Sequence, residues 1–108
     1  MNIAIGNLDF IHELVKQMVH EAEQFTGFEF TITSIYRPGD EGVHGTLPVR
    51  GIDVRCRDAS IGHLIANFVN HKWKYDHARP EKKCCMFHGQ DYGQPHLHFQ
   101  CHPNTEKV

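Results

Sequence analysis

Between Asn7 and about Phe25 apolar side chains return at three- and four-residue steps: Leu8, Ile11, Leu14, Val15, Met18, Val19 and Ala22. That spacing draws one stripe along an amphipathic α-helix, with Asn7 as its predicted N-cap and Gly27 as its stop. The rhythm then changes. Phe28 to Tyr36 alternates and is rich in β-branched and aromatic residues, which predicts a strand ended by the turn-forming run Arg37-Pro38-Gly39-Asp40-Glu41-Gly42. After an irregular stretch, Val43 to Pro48, a second short strand is predicted over Arg50 to Cys56. Asp58, Ala59 and Ser60 can cap a second helix with the stripe Ile61, Leu64, Ile65, Phe68, Val69 and Trp73. Lys74 to Lys83 reads as a connection, Cys84 to His88 as a strand, Gly89 to Gly93 as a turn and Pro95 to Cys101 as a last strand, with a frayed tail after Pro103. Helix, strand, strand, helix, strand, strand is an α+β order and predicts a small antiparallel sheet with two helices packed on it.

Composition narrows the function classes. A chain of 108 residues has room for one core and not two, so a single domain over residues 1–108 is expected. The net charge is -2 and the Lys and Arg residues are scattered, which argues against a nucleic-acid partner. Met1 to Gly6 has no basic n-region or apolar h-region, and no apolar run approaches membrane-spanning length. The expectation is synthesis in the cytoplasm without a signal peptide and no membrane partner. Thiols are then the default for Cys56, Cys84, Cys85 and Cys101. No Cys-x-x-Cys spacing is present and neighbouring cysteines on a strand face opposite ways, which disfavours a cysteine zinc site. A nucleophile pair of Cys84 or Cys85 with His88 lacks a third group to orient the base.

Ten histidines remain, and position has to decide among them. His12, His20, His63 and His71 fall on polar helix surfaces or edges. On the last strand His96, His98 and Gln100 project from one face while Leu97, Phe99 and Cys101 project from the other. Two imidazoles on the polar face can reach one small cavity. Asp53 stands between Ile52 and Val54, where a carboxylate must face solvent or be neutralised by Arg50, Arg55 or a cation. His44 lies in a glycine-rich loop upstream. Two imidazoles and one carboxylate make a three-ligand zinc site with an open fourth position, which is the arrangement of a hydrolytic centre.

The ordered pieces Thr33-Ser34-Ile35-Tyr36-Arg37-Pro38, Val43-His44-Gly45, Arg50-Gly51-Ile52-Asp53 and His96-Leu97-His98-Phe99-Gln100 resemble the D-alanyl-D-alanine peptidase and hedgehog-like zinc metallopeptidases, especially short phage and prophage members. The resemblance runs from about residue 33 to residue 100. It implies a hedgehog-like fold and Zn2+ held by His44, Asp53 and His98. It also implies that His96 lies beside the reacting water as acid or base, and that Arg37 holds a substrate carboxylate or carbonyl. The implied activity is hydrolysis of a peptide bond in bacterial peptidoglycan, as an endolysin-like endopeptidase or a D,D- or L,D-carboxypeptidase, reached by holin-mediated release or carriage in a virion.

Two departures from the family pattern bear on this. His44 and Asp53 are nine positions apart where the family usually has seven, so Thr46 to Val49 must bulge, which is entropically cheap. The family's acid three before the last histidine is here Pro95, leaving Asp91 or His96 to act as the acid–base group. Two rival readings follow. One is a catalytically inactive zinc module of the same fold, acting as a phage structural or binding protein; the other is an accessory protein in which the histidines hold no metal.

Overall fold

In a computed structural model the chain is described over residues 1–3, 10–35, 41–45, 47–89, 91 and 93–108, with Asn2, Ile3 and His44 described by their backbone alone. The fold is α+β. A sheet of five strands runs β1 (Asn2–Ile3), β2 (Thr31–Ser34), β3 (Gly51–Arg55), β6 (His96–Gln100) and β5 (Cys85–His88) in spatial order. β2, β3, β6 and β5 pair antiparallel, and β1 joins β2 in parallel. Helices α1 (Glu13–Thr26) and α2 (Ala59–Lys72) pack on the sheet, and β4 (Trp73–Lys74) pairs with β7 (Glu106–Lys107) in a small second sheet.

One hydrophobic core joins these elements. Val15, Met18, Val19 and Ala22 of α1 and Ile65, Ala66 and Val69 of α2 meet Ile32, Ile52, Val54, Leu97 and Phe99 of the sheet. Fully burying an aliphatic or aromatic side chain contributes about 1.5–3 kcal/mol. A one-residue slip of β6 would exchange Leu97 and Phe99 for His96 and His98, so the core fixes the register and with it the polar face.

Three local findings differ from the sequence pattern. The expected cap Asn7 lies outside the described residues, and α1 starts only at Glu13 with His12 as its cap, the imidazole Nδ1 accepting from the Leu14 amide at 3.1 Å. Ile11 continues the apolar stripe but bridges to Val49 instead of joining the helix: the Val49 amide donates to Phe10 and the His12 amide donates to Val49. At the other end Gly27 stops α1 as expected, at φ 77°. In α2 the predicted Leu64 is 53% exposed, and Gly62 takes the buried place beside Phe87, where a Cβ would come within 2.3 Å of the ring. Among the described residues no helix is long and apolar enough to cross a membrane.

The tail is the third difference. Beyond Pro103, Thr105 is buried with its hydroxyl donating to the Tyr75 carbonyl, and β7 pairs with β4. Glu21 of α1 clamps both strands, accepting from the indole of Trp73 at 2.9 Å and from the ammonium of Lys107. Burial raises the Glu21 pKa, but the hydrogen bonds from Lys107 and Trp73 outweigh it and hold the carboxyl below its ordinary value. A carboxyl whose folded pKa is depressed stabilises above its unfolded value and loses that contribution as the pH falls through the folded one. Amide exchange at Val108, whose amide donates to the Lys72 carbonyl, is therefore expected to gain protection as the pH rises from the depressed folded value to the ordinary glutamate range. Glu21→Gln should flatten that dependence, and an unchanged profile in the variant would remove Glu21 as the clamp.

Candidate metal centre

β3 and β6 lie side by side at the centre of the sheet, in a register that sets Asp53 directly opposite His98 and Arg55 opposite His96. Directly opposed side chains on one face stand about 4.5–5.5 Å apart at Cβ, close enough to share a ligand. Asp53 and His98 are each only 9% exposed. Their side chains meet, His98 Nδ1 to Asp53 Oδ1, at 2.9 Å, and His96 Nε2 lies 3.8 Å from the same oxygen.

The proton positions follow from the neighbours. Gln100 donates its amide to the Lys83 carbonyl at 2.7 Å, so its Oε1 is the atom facing His98 Nε2 at 3.0 Å. An amide oxygen only accepts; Nε2 of His98 therefore carries the proton. A neutral His98 then turns the lone pair of Nδ1 onto a carboxylate oxygen, an arrangement that requires a proton or a metal ion between them. His96 has the opposite tautomer, since Nδ1 donates to the Gln94 carbonyl at 2.9 Å and the Nε2 lone pair is left on the Asp53 side.

The donor set fits zinc. Two donors on a tetrahedral zinc at the usual bond lengths stand about 3.3 Å apart, so Nδ1 and Oδ1, now in direct contact at 2.9 Å, would part slightly to take an ion. Gln100 supplies the outer hydrogen bond that ligating imidazoles ordinarily make. The third candidate, His44, sits in a 3-10 turn, Val43–Gly45, and its side chain lies outside the described residues. That turn is seated on β3: the Arg50 amide donates to Val43, and a Cβ at Gly51 would collide with the Val43 side chain at 2.1 Å and approach His98 at 3.3 Å. Leu47 and Pro48 are exposed to solvent before the chain returns at the buried Val49. Among the described residues no three metal-binding side chains converge, a set that lacks the His44 imidazole.

The other candidates part ways. Arg37 lies outside the described residues. Asp91 is exposed on the turn between β5 and β6, with no described contact to His96 or Asp53. That turn is built on Gly89, at φ 86°, where a Cβ would strike the Gln94 carbonyl at 1.9 Å and His96 Nδ1 at 2.8 Å. A glycine there lets the chain close on the His96 ring.

His88, weighed in the sequence only as the base of a cysteine pair, stands instead beside the two histidines of β6. β5 sets it opposite His96, with ring centroids 4.6 Å apart, and 5.9 Å from the His98 ring. Burial, and then the neighbouring His96 and His98, lower its pKa against a partial offset from Asp53, which favours the neutral ring. Its place on the polar face could be read from the parity of β5, but its partner needed the register of β5 against β6. Thr33 was missed: a register irregularity in β2 lets Ile32 and Ile35 both enter the core while the Thr33 hydroxyl donates to the Asp53 carbonyl at 3.4 Å.

The thiols stay apart from this chemistry. Cys84, Cys85 and Cys101 are buried, and burial is the first cause of their raised pKa values, to about 12 for Cys84 and about 11 for Cys101. A protonated, buried thiol is neither a good ligand nor a nucleophile. A disulfide-exchange reagent at neutral pH is expected to find no more than one reactive thiol, the half-exposed Cys56, in the native protein and four after denaturation. Rapid reaction of two or more native thiols would reopen a cysteine site.

Compared with known proteins, the chain matches no protein-family model, no curated protein and no solved structure.

Proposed function

We propose that this chain is a zinc-dependent peptidase of hedgehog-like fold that hydrolyses a peptide bond in bacterial peptidoglycan, with His44, Asp53 and His98 as its metal ligands. The observation that carries the reading is the buried Asp53–His98 contact at 2.9 Å, in which the Gln100 hydrogen bond leaves Nδ1 facing a carboxylate across a gap that a proton or a metal ion must bridge. Zinc, when bound, supplies a Lewis acid that brings a water into the hydroxide range and polarises a carbonyl. The chain's own residues do the rest. Asp53 and His98 form the floor of the site, and His96 Nε2 stands beside them to take and return a proton. Arg37 is assigned to the substrate carbonyl or carboxylate.

A cleft of about 330 Å³ opens beside Asp53 and His96, within the size of small-ligand sites. Holin-mediated release or carriage in a virion would bring the enzyme to the wall. The test begins with metal analysis of protein purified without a histidine tag, followed by release of free amines from purified cell wall. One zinc per chain with amine release is the expected result. Zinc without release would leave the inactive binding module, and less than a tenth of an equivalent of zinc would end both readings.

A further inference from the structure

The cleft beside the metal centre carries a charge that neither the ligands nor the acid–base group requires. Alternate residues of β3 and its extension line one wall: Asp53, then Arg55, then Arg57. Thr33, Gln94 and His96 complete the polar lining. Both arginines are exposed, and neither forms an ion pair among the described residues. Two carboxylates that border an adjoining groove with these arginines have other partners: Glu29 meets the N-terminal amine at 3.5 Å and Asp58 caps α2 through the Ile61 amide at 3.1 Å. With the Asp53 carboxylate against His98, the two guanidinium groups carry the cleft's unpaired charge among the described residues.

We propose that Arg55 and Arg57 form an anion subsite that holds a carboxylate of the peptide substrate, about two to four residues from the bond to be cut. This rests on the peptidase reading of the same centre. Two residues of strand cover about 7 Å and four about 13 Å; Arg55 ends β3 two residues beyond Asp53, and Arg57 follows two residues later. An extended peptide advances about 3.3–3.6 Å per residue. A peptide whose scissile carbonyl lies over Asp53 and His98 therefore draws level with Arg55 about two residues on and, if it stays extended, with Arg57 about four residues on. Guanidinium groups pair bidentately with carboxylates, which suits them to read an acid against its amide.

The test uses the full chain and three N-acetylated peptides ending in D-Ala-D-Ala: the free acid, its C-terminal amide, and that amide with an internal D-glutamate. Binding is read from the amide shifts of Gln94 and His96, with and without zinc, so that it does not depend on turnover. At least one carboxylate peptide is expected to bind about tenfold more tightly than the uncharged amide, and which one shows whether a terminal or an internal acid is held. Arg55→Gln combined with Arg57→Gln should abolish the preference, and lysine at both positions should restore part of it. Equal binding of all three peptides to the native chain, or a preference that survives the double glutamine variant, would overturn the subsite. Zinc content is measured on the same samples. A carboxylate preference without zinc would sink the metal reading alone, and zinc without the preference would sink the subsite alone.

Discussion

Zinc affinity is expected to fall by more than a hundredfold in Asp53→Asn, with the fold retained. Asparagine has the shape of aspartate, and its amide can donate to His98 Nδ1, so the buried polar pair stays satisfied while the anion is lost. Losing an outer-shell partner costs about 10–100-fold in metal affinity. Gln100→Leu, which removes only the hydrogen bond to His98 Nε2, should fall in that range, and a lost ligand should exceed it. Stability offers a second reading of the same equilibrium. A ligand at a hundred times its dissociation constant stabilises the folded state by about 2.7 kcal/mol. For a domain of this size that is a rise on the order of 10–20 °C in Tm. The native chain should show the rise on adding zinc and Asp53→Asn should not. Titration with a competing chelator measures the affinities, and equal zinc binding by the two proteins would remove Asp53 from the ligand set.

Much of this centre was legible before the fold was known, because strand parity carries it. The alternation of His96, Leu97, His98 and Phe99 told which side chains share a face, and burial of Leu97 and Phe99 makes that alternation binding. Asp53 between Ile52 and Val54 announced a carboxylate in need of a partner, and the partner proved to be His98 across the sheet. What stayed hidden depends on pairing between distant segments. The turn Gly89 to Gly93 made β5 and β6 expected neighbours, but their register, which sets His88 opposite His96, was not readable from it. The Glu21 clamp joins residues of α1 to a tail 86 positions away, and a polar tail read alone gives no sign of it. The start of α1 failed for a related reason: Ile11 fits the helical stripe, but a backbone pairing with Val49 claimed it.

Placement of the acid–base group sets the second large effect. Proton transfer by a positioned side chain contributes about 10²–10⁴-fold to rate, or roughly 3–5 kcal/mol of barrier. Two groups compete for the role, and the geometry separates them. His96 has its tautomer fixed by the Gln94 carbonyl, with the Nε2 lone pair left 3.8 Å from Asp53 Oδ1. Asp91 is exposed on the neighbouring turn. His96→Ala is therefore expected to lower kcat on a peptidoglycan peptide by two to four orders of magnitude while the zinc content stays near one per chain. Asp91→Asn should stay within about twofold of the native rate, since changing a solvated carboxylate removes no proton from the reaction path. Both rates are measured by amine release at saturating substrate, with zinc determined on the same preparations. If Asp91→Asn carries the loss and His96→Ala does not, the turn must close over the site during turnover and the assignment of His96 is wrong. If both variants keep the native rate, a group outside this pair moves the proton.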